Sequence, residues 1–162
     1  MTTPVPGLDG DEEAVWRSLV EVLLRLPRVL DEHFDREAKV SMTDYSVLVA
    51  LSEAPDGHLR MGELAEATAL SRSRTTRVVD DLVRRSLITR RKGQQDGRSA
   101  HAALTPKGAA LLADVYPGHL ARVRALVLDH LTRSEMRTIS EGLARVLTAL
   151  RQSPPEDSAG ND

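Results

Sequence analysis

Leu70-Ser71-Arg72-Ser73-Arg74-Thr75-Thr76-Arg77-Val78-Val79-Asp80, then Leu87-Ile88-Thr89-Arg90-Arg91-Lys92 and Gln95-Asp96-Gly97-Arg98, is the stretch on which the fold turns. Its first part reads as a helix. Ser71 is a good N-cap with apolar Leu70 ahead of it. Thr75, Val78, Val79 and Leu82 recur at helical spacing and point inward, which turns Arg72, Ser73, Thr76 and Arg77 outward. Leu87 to Arg91 reads as a strand, Gly93 to Gly97 as a turn, and Ser99 to Leu104 as the returning strand. Upstream, Met61, Leu64, Ala65 and Thr68 mark a short helix, and His58-Leu59-Arg60 fits an edge strand. Downstream, Thr105-Pro106-Lys107-Gly108 opens another helix, with Thr105 as N-cap and proline at the first helical position.

Further out the pattern stays helical. Val15, Leu19, Val22, Leu23, Leu26, Leu30 and Phe34 predict a helix over 11–37, with a kink expected at Pro27. Ser41 or Thr43 caps a second helix, whose apolar face is Tyr45, Leu48, Val49 and Leu51 and whose end is the turn Ala54-Pro55-Asp56-Gly57. Beyond Thr105, apolar residues run to Leu131, with a bend expected at Pro117-Gly118. Thr132 or Ser134 then caps a last helix bearing Met136, Ile139, Leu143, Val146, Leu147 and Leu150. Residues 1–10 read as a flexible arm and 152–162 as a disordered tail. The fold class expected is mainly α (α+β, winged helix-turn-helix): about six helices with a two- to three-stranded wing hairpin.

Composition narrows the function. The chain has 162 residues, a net charge of −2 and no cysteine, which excludes disulfide scaffolds and thiolate chemistry. Charge is uneven, however: Arg60 to His101 holds ten basic and five acidic residues, leaving the remainder acidic. No signal peptide and no membrane span are evident, so a cytoplasmic protein is expected. Nothing resembles a glycine-rich phosphate loop, a nucleophile elbow or a metal motif, so neither an enzyme nor a cofactor is expected. The donors of Asp31-Glu32-His33-x-Asp35 do not share a helical face, which argues against a metal there.

A helix that reads DNA needs an apolar inner face for docking, short donors and acceptors in its first turns, and flanking cations for phosphates. Residues 70–85 meet all three needs. Arginine can fork onto guanine O6 and N7, and Ser73 and Thr76 can bond bases or phosphates. The candidate contacts are Ser71, Arg72, Ser73, Arg74, Thr76 and Arg77 on the helix, and Arg90, Arg91, Lys92, Asp96 and Arg98 on the hairpin. His101, on the returning strand, is either exposed surface or a phosphate contact. An amphipathic helix with a solvated basic face would look similar, but it leaves so basic a hairpin without a purpose. The second alternative is a winged-helix protein-interaction module without DNA binding.

These residues resemble the winged-helix regulators of the MarR (multiple antibiotic resistance regulator) type over Trp16 to Arg151. The likeness is carried by Leu70 to Asp80, Leu87 to Arg91, the wing motif Asp96-Gly97-Arg98 and the closing Leu104-Thr105-Pro106-Lys107-Gly108. The resemblance implies an intertwined helical homodimer on double-stranded DNA at a palindromic operator, with Arg98 in the minor groove and Asp96 orienting it. It implies one domain over 11–151, with 11–40 and 105–151 as dimerisation helices and 41–104 as the DNA-binding lobe. The Leu143, Val146, Leu147 and Leu150 stripe must bury against something, either a second copy or the chain's own core. Similar regulators hold a small aromatic or anionic effector among their helices. All four aromatics lie outside the DNA lobe's basic stretch, so the candidates here are Trp16, His33, Phe34, Asp44, Tyr45 and Tyr116, with Arg17 as a further polar group. One departure from the family pattern is Ser86, where glycine is usual before the strand; a left-handed residue is expected there at some cost.

Overall fold

The computed structural model describes residues 6–92 and 100–152, without the side chains of 33, 35–38 and 92. The elements are α1 (Gly10–Ala38), α2 (Met42–Glu53), β1 (His58–Arg60), α3 (Met61–Thr68), α4 (Arg72–Arg84), β2 (Ile88–Lys92), β3 (Ala100–Leu104), α5 (Pro106–Leu126), a 3₁₀ turn (Leu128–His130) and α6 (Arg133–Gln152). Six α-helices and a small sheet match the expected class.

Local chemistry explains where each helix starts. Asp9 accepts the Asp11 and Glu12 N–H groups, while the Glu12 carboxylate accepts the Asp9 N–H, a reciprocal cap for α1. Ser41 and Asp44 cap α2 in the same way, with Asp44 in the serine–x–x–acid position. The Asp31 carboxylate of α1 also accepts the Met42 N–H at 2.6 Å, so the start of α2 is pinned to α1. Thr132 and Glu135 cap α6, and the Thr132 hydroxyl and N–H hold the Glu135 carboxyl below the usual range. Both α1 and α5 run without a break through Pro27 and Pro117, so neither proline interrupts its helix. Both prolines are exposed, so water can take up the carbonyl that each leaves without an N–H partner.

The sheet is antiparallel in the order β1-β3-β2. Arg60 pairs with His101, which on its other side pairs with Arg91, while Arg90 pairs with Ala102. β2 begins one residue later than the sequence suggests. Ser86 lies at φ 61, in the left-handed region, and the Leu87 carbonyl is taken by the Thr105 N–H rather than by the ladder.

The chain divides into two compact units after His119. The first has two apolar clusters. One gathers Val47, Leu48 and Leu51 of α2, Leu64 of α3, Val79 and Leu82 of α4, Leu87 and Ile88 at β2, and Ala102 of β3. The other gathers Phe34, Val40, Tyr45 and Val115. The second unit holds α6, none of whose residues is buried in the single chain. Its Ile139, Leu143, Val146, Leu147 and Leu150 form an exposed apolar stripe at helical spacing. Among the described residues, no helix is long and apolar enough to cross a membrane.

Candidate nucleic-acid interface

The two faces of α4 differ sharply. Thr75, Val79 and Leu82 are fully buried and dock the helix on α2, α3 and β2. The Thr75 hydroxyl is satisfied by the Ser71 carbonyl at 3.0 Å, so this polar group is buried without an orphaned donor. Arg72, at the exposed first turn, and Arg74 and Arg77, away from the docked face, are exposed and hold no ion pair or side-chain hydrogen bond among the described residues. Ser71 caps the helix through the Arg74 N–H and lies 3.2 Å from the Ser73 hydroxyl. The Thr76 hydroxyl donates back to the Arg72 carbonyl, which leaves its oxygen free to accept from a ligand. A cluster of unengaged guanidiniums and hydroxyls on the first turns of a rigidly docked helix can grip an anionic, donor-rich surface.

The hairpin separates two neighbouring arginines. Side chains alternate along a strand, so Arg90 shares a face with Ile88 and Ala102, toward α4, and its guanidinium bonds Asp80 of α4 at 3.0 Å. Arg91 lies on the other face. Asp96 and Arg98 fall outside the described residues, as does the side chain of Lys92.

The far end of α4 is fixed by Arg85. Its guanidinium donates to the Lys39 carbonyl at 2.8 Å and meets Asp44 of α2 at 3.4 Å and Asp81 at 3.6 Å. Its own carbonyl accepts from Lys107 of α5 at 3.0 Å. One side chain therefore ties the last turn of α4 to the junction where α1 ends and α2 begins. Arg85→Ala strips a charged donor from the Lys39 carbonyl and the half-buried Asp44. The expected cost is about 1–3 kcal/mol in chemical denaturation, against less than about 0.5 kcal/mol for Arg84→Ala in the same turn. Equal effects for the two would show that Arg85 holds nothing.

The family model described as MarR family matches residues 39–99, from just after α1 to just before β3. Sco3205, a MarR family transcriptional regulator from Streptomyces coelicolor solved in complex with DNA, superposes with a TM-score of 0.86 at 34% identity, covering 93% of this chain and 97% of that one. This chain belongs to the MarR family. AbsC, another MarR family regulator from the same organism, is 30% identical with a TM-score of 0.85 over 92% of this chain and all of that one (100%). The transcriptional repressor YetL of Bacillus subtilis is 27% identical over 124 residues, 76% of this chain and 74% of YetL.

In this MarR-family chain the five effector candidates whose side chains are described lie in different surroundings. Phe34 and Tyr45 are buried, with ring centroids 4.9 Å apart, and His119 joins them at 5.1 and 4.6 Å. Burial pushes the Tyr45 hydroxyl above the usual phenol range, and the nearby Tyr116 and Glu53 add to the shift. Asp44 is engaged by the Ser41 N–H and by Arg85. Trp16 and Tyr116 are more than half exposed, at 57% and 52%. The side chain of His33 lies outside the described residues. Among the described residues no cluster of three or more His, Asp or Glu could hold a metal ion.

Sequence reasoning did not single out three of the working contacts: Arg85, the Asp80 partner of Arg90, and His119 against Phe34 and Tyr45. Arg85 reads in sequence as an ordinary cation at a helix C-terminus. Only the approach of Lys39 and Asp44, more than forty positions away in the chain (separations of 46 and 41), shows its use.

Proposed function

We propose that this chain is a transcriptional repressor that acts as a homodimer on a palindromic operator in double-stranded DNA and answers to a small aromatic or anionic effector. The observation that carries the reading is the trio Arg72, Arg74 and Arg77, unengaged on a helix whose other face is locked into the lobe. Ser71, Ser73 and Thr76 supply the shorter hydrogen-bonding groups beside them. Lys92, Asp96 and Arg98 form the wing's share of the operator contact, Arg91 adds to the hold on DNA from the hairpin's other face, and Arg90 contributes with its charge partly balanced by Asp80. The DNA-binding lobe is assigned to 41–104, and dimerisation to 11–40 and 105–151. The α6 stripe supports that second assignment, since an apolar row of this length exposed on a single chain fits burial against a second copy. The role is regulatory rather than catalytic and the setting cytoplasmic. The effector reading rests on the Phe34–Tyr45 cluster, with Trp16, His33, Asp44 and Tyr116 as the remaining candidates.

Selection of bound fragments from random duplex DNA tests the whole reading. The expected product is an inverted repeat whose half-sites lie about 10 base pairs apart, one helical turn between two recognition helices. On that duplex, log affinity is expected to fall linearly with log salt, by about 0.9 for each phosphate neutralised. No enrichment, or an affinity indifferent to salt, would favour the protein-interaction alternative.

A further inference from the structure

The outer face of the sheet carries two arginines, one on either side of a histidine, that α4 cannot use. Arg60 of β1, His101 of β3 and Arg91 of β2 stand directly opposite one another in register, so they share one face. His58 lies on the same face, its ring 5.3 Å from that of His101. Three strands about 4.8 Å apart put the two arginines roughly 10 Å from each other. Neither guanidinium has a partner among the described residues; Glu63, the nearest acid in sequence, accepts the Arg60 backbone N–H instead. The opposite face of the same strands is the one that packs on the core and sends Arg90 to Asp80 of α4.

We infer that this outer face is a second DNA contact, which grips backbone phosphates flanking the operator, beyond the hairpin and outside the groove that α4 enters. The inference rests on the DNA-binding reading above. It follows from direction: Arg91 and Arg60 point away from α4, so the phosphates they reach lie on the far side of the hairpin. It follows also from continuity, because two of the three strands form the hairpin that the reading already lays along the duplex. Contacts of this kind carry no sequence information. They lengthen the footprint and steepen the salt dependence.

The test compares the wild-type chain with Arg60→Ala, which leaves the operator contacts of helix and hairpin intact, on two duplexes: the selected operator alone, and the operator with about ten added base pairs on each side. On the long duplex the variant is expected to bind about fivefold more weakly, with the salt slope reduced by about one for each lost phosphate contact. On the trimmed duplex the two proteins are expected to agree within about twofold, and hydroxyl-radical footprints of the long complex should lose only their outermost protected phosphates. Arg60→Lys, which keeps the charge, should behave like wild type on both. Equal losses on the two duplexes would overturn the inference, since the effect would then be on the lobe or the operator contact. No loss on either would also overturn it, and would leave the face to an acidic protein partner. A wild-type chain that selects and binds no duplex at all would sink the DNA-binding reading itself, a result distinct from both.

Discussion

Gly108→Ala is expected to cost about 3 kcal/mol or more in stability, although alanine is the better helix former by about 1 kcal/mol. The reason is local. A Cβ at Gly108 would stand 2.1 Å from the Leu87 carbonyl oxygen and 2.9 Å from Leu104 Cδ1. The leucine side chain can turn aside, but the carbonyl cannot. It accepts the Thr105 N–H at 3.1 Å, and the Thr105 hydroxyl lies 2.9 Å from both it and the Ser86 carbonyl while accepting the Gly108 N–H. The cap of α5 and the left-handed corner at Ser86 therefore close on each other, and only a residue without a side chain fits between them. Making room separates the start of α5 from the end of α4 and breaks the cap with it. In this size class each kcal/mol moves Tm by about 2–4 °C, so a fall of about 6–12 °C should be seen in thermal melts. Gly62→Ala is the control, because a Cβ there meets nothing within 4 Å. It should change stability by less than about 1 kcal/mol, in the favourable direction if at all. A Gly108→Ala protein as stable as wild type would mean that the carbonyl yields and the corner is not tight.

That corner also shows which parts of the fold can be read from sequence. The caps Ser41, Ser71 and Thr105 were legible because each is a local rule: a hydroxyl just before an apolar-periodic run. The inward turn of Thr75 was legible from its spacing to Val79 and Leu82, whereas His58–Arg60 is too short for its pattern to show more than that an edge strand fits. The left-handed Ser86 was expected from its position where glycine is usual, and Thr105 takes up its carbonyl. Contacts set by register or by distant approach were not legible. The chain spells Arg90-Arg91-Lys92 as one basic run, and nothing in it tells which arginine faces α4 until β2 is paired with β3. The effector candidates show the same limit. Phe34 and Tyr45 were named with Trp16 and Tyr116 as aromatics outside the basic stretch, but their packing together against His119 depends on how α1, α2 and α5 meet.

Arg74→Ala/Arg77→Ala is expected to leave the protein folded and abolish most of its hold on the selected operator. Both side chains are exposed and unengaged among the described residues, so their removal should shift stability by less than about 0.5 kcal/mol each. In a dimer the pair is lost twice. At about 1 kcal/mol or more for each guanidinium, and 1.4 kcal/mol per decade, affinity should drop about a thousandfold in a titration at fixed salt. Arg74→Lys/Arg77→Lys separates the two things these arginines can do. A lysine keeps the point charge that a phosphate needs but cannot fork onto O6 and N7 of a guanine. If the arginines read bases, the lysine variant should keep its weak affinity for random duplex while its preference for the operator falls by about tenfold or more. If they only hold phosphates, operator and random duplex should be bound in the same ratio as by wild type. The buried face of α4 makes the comparison clean, because Thr75, Val79 and Leu82 keep the helix in place whichever side chain projects from the other side. An alanine pair that still binds the operator at wild-type strength would remove the observation on which the DNA-binding reading rests.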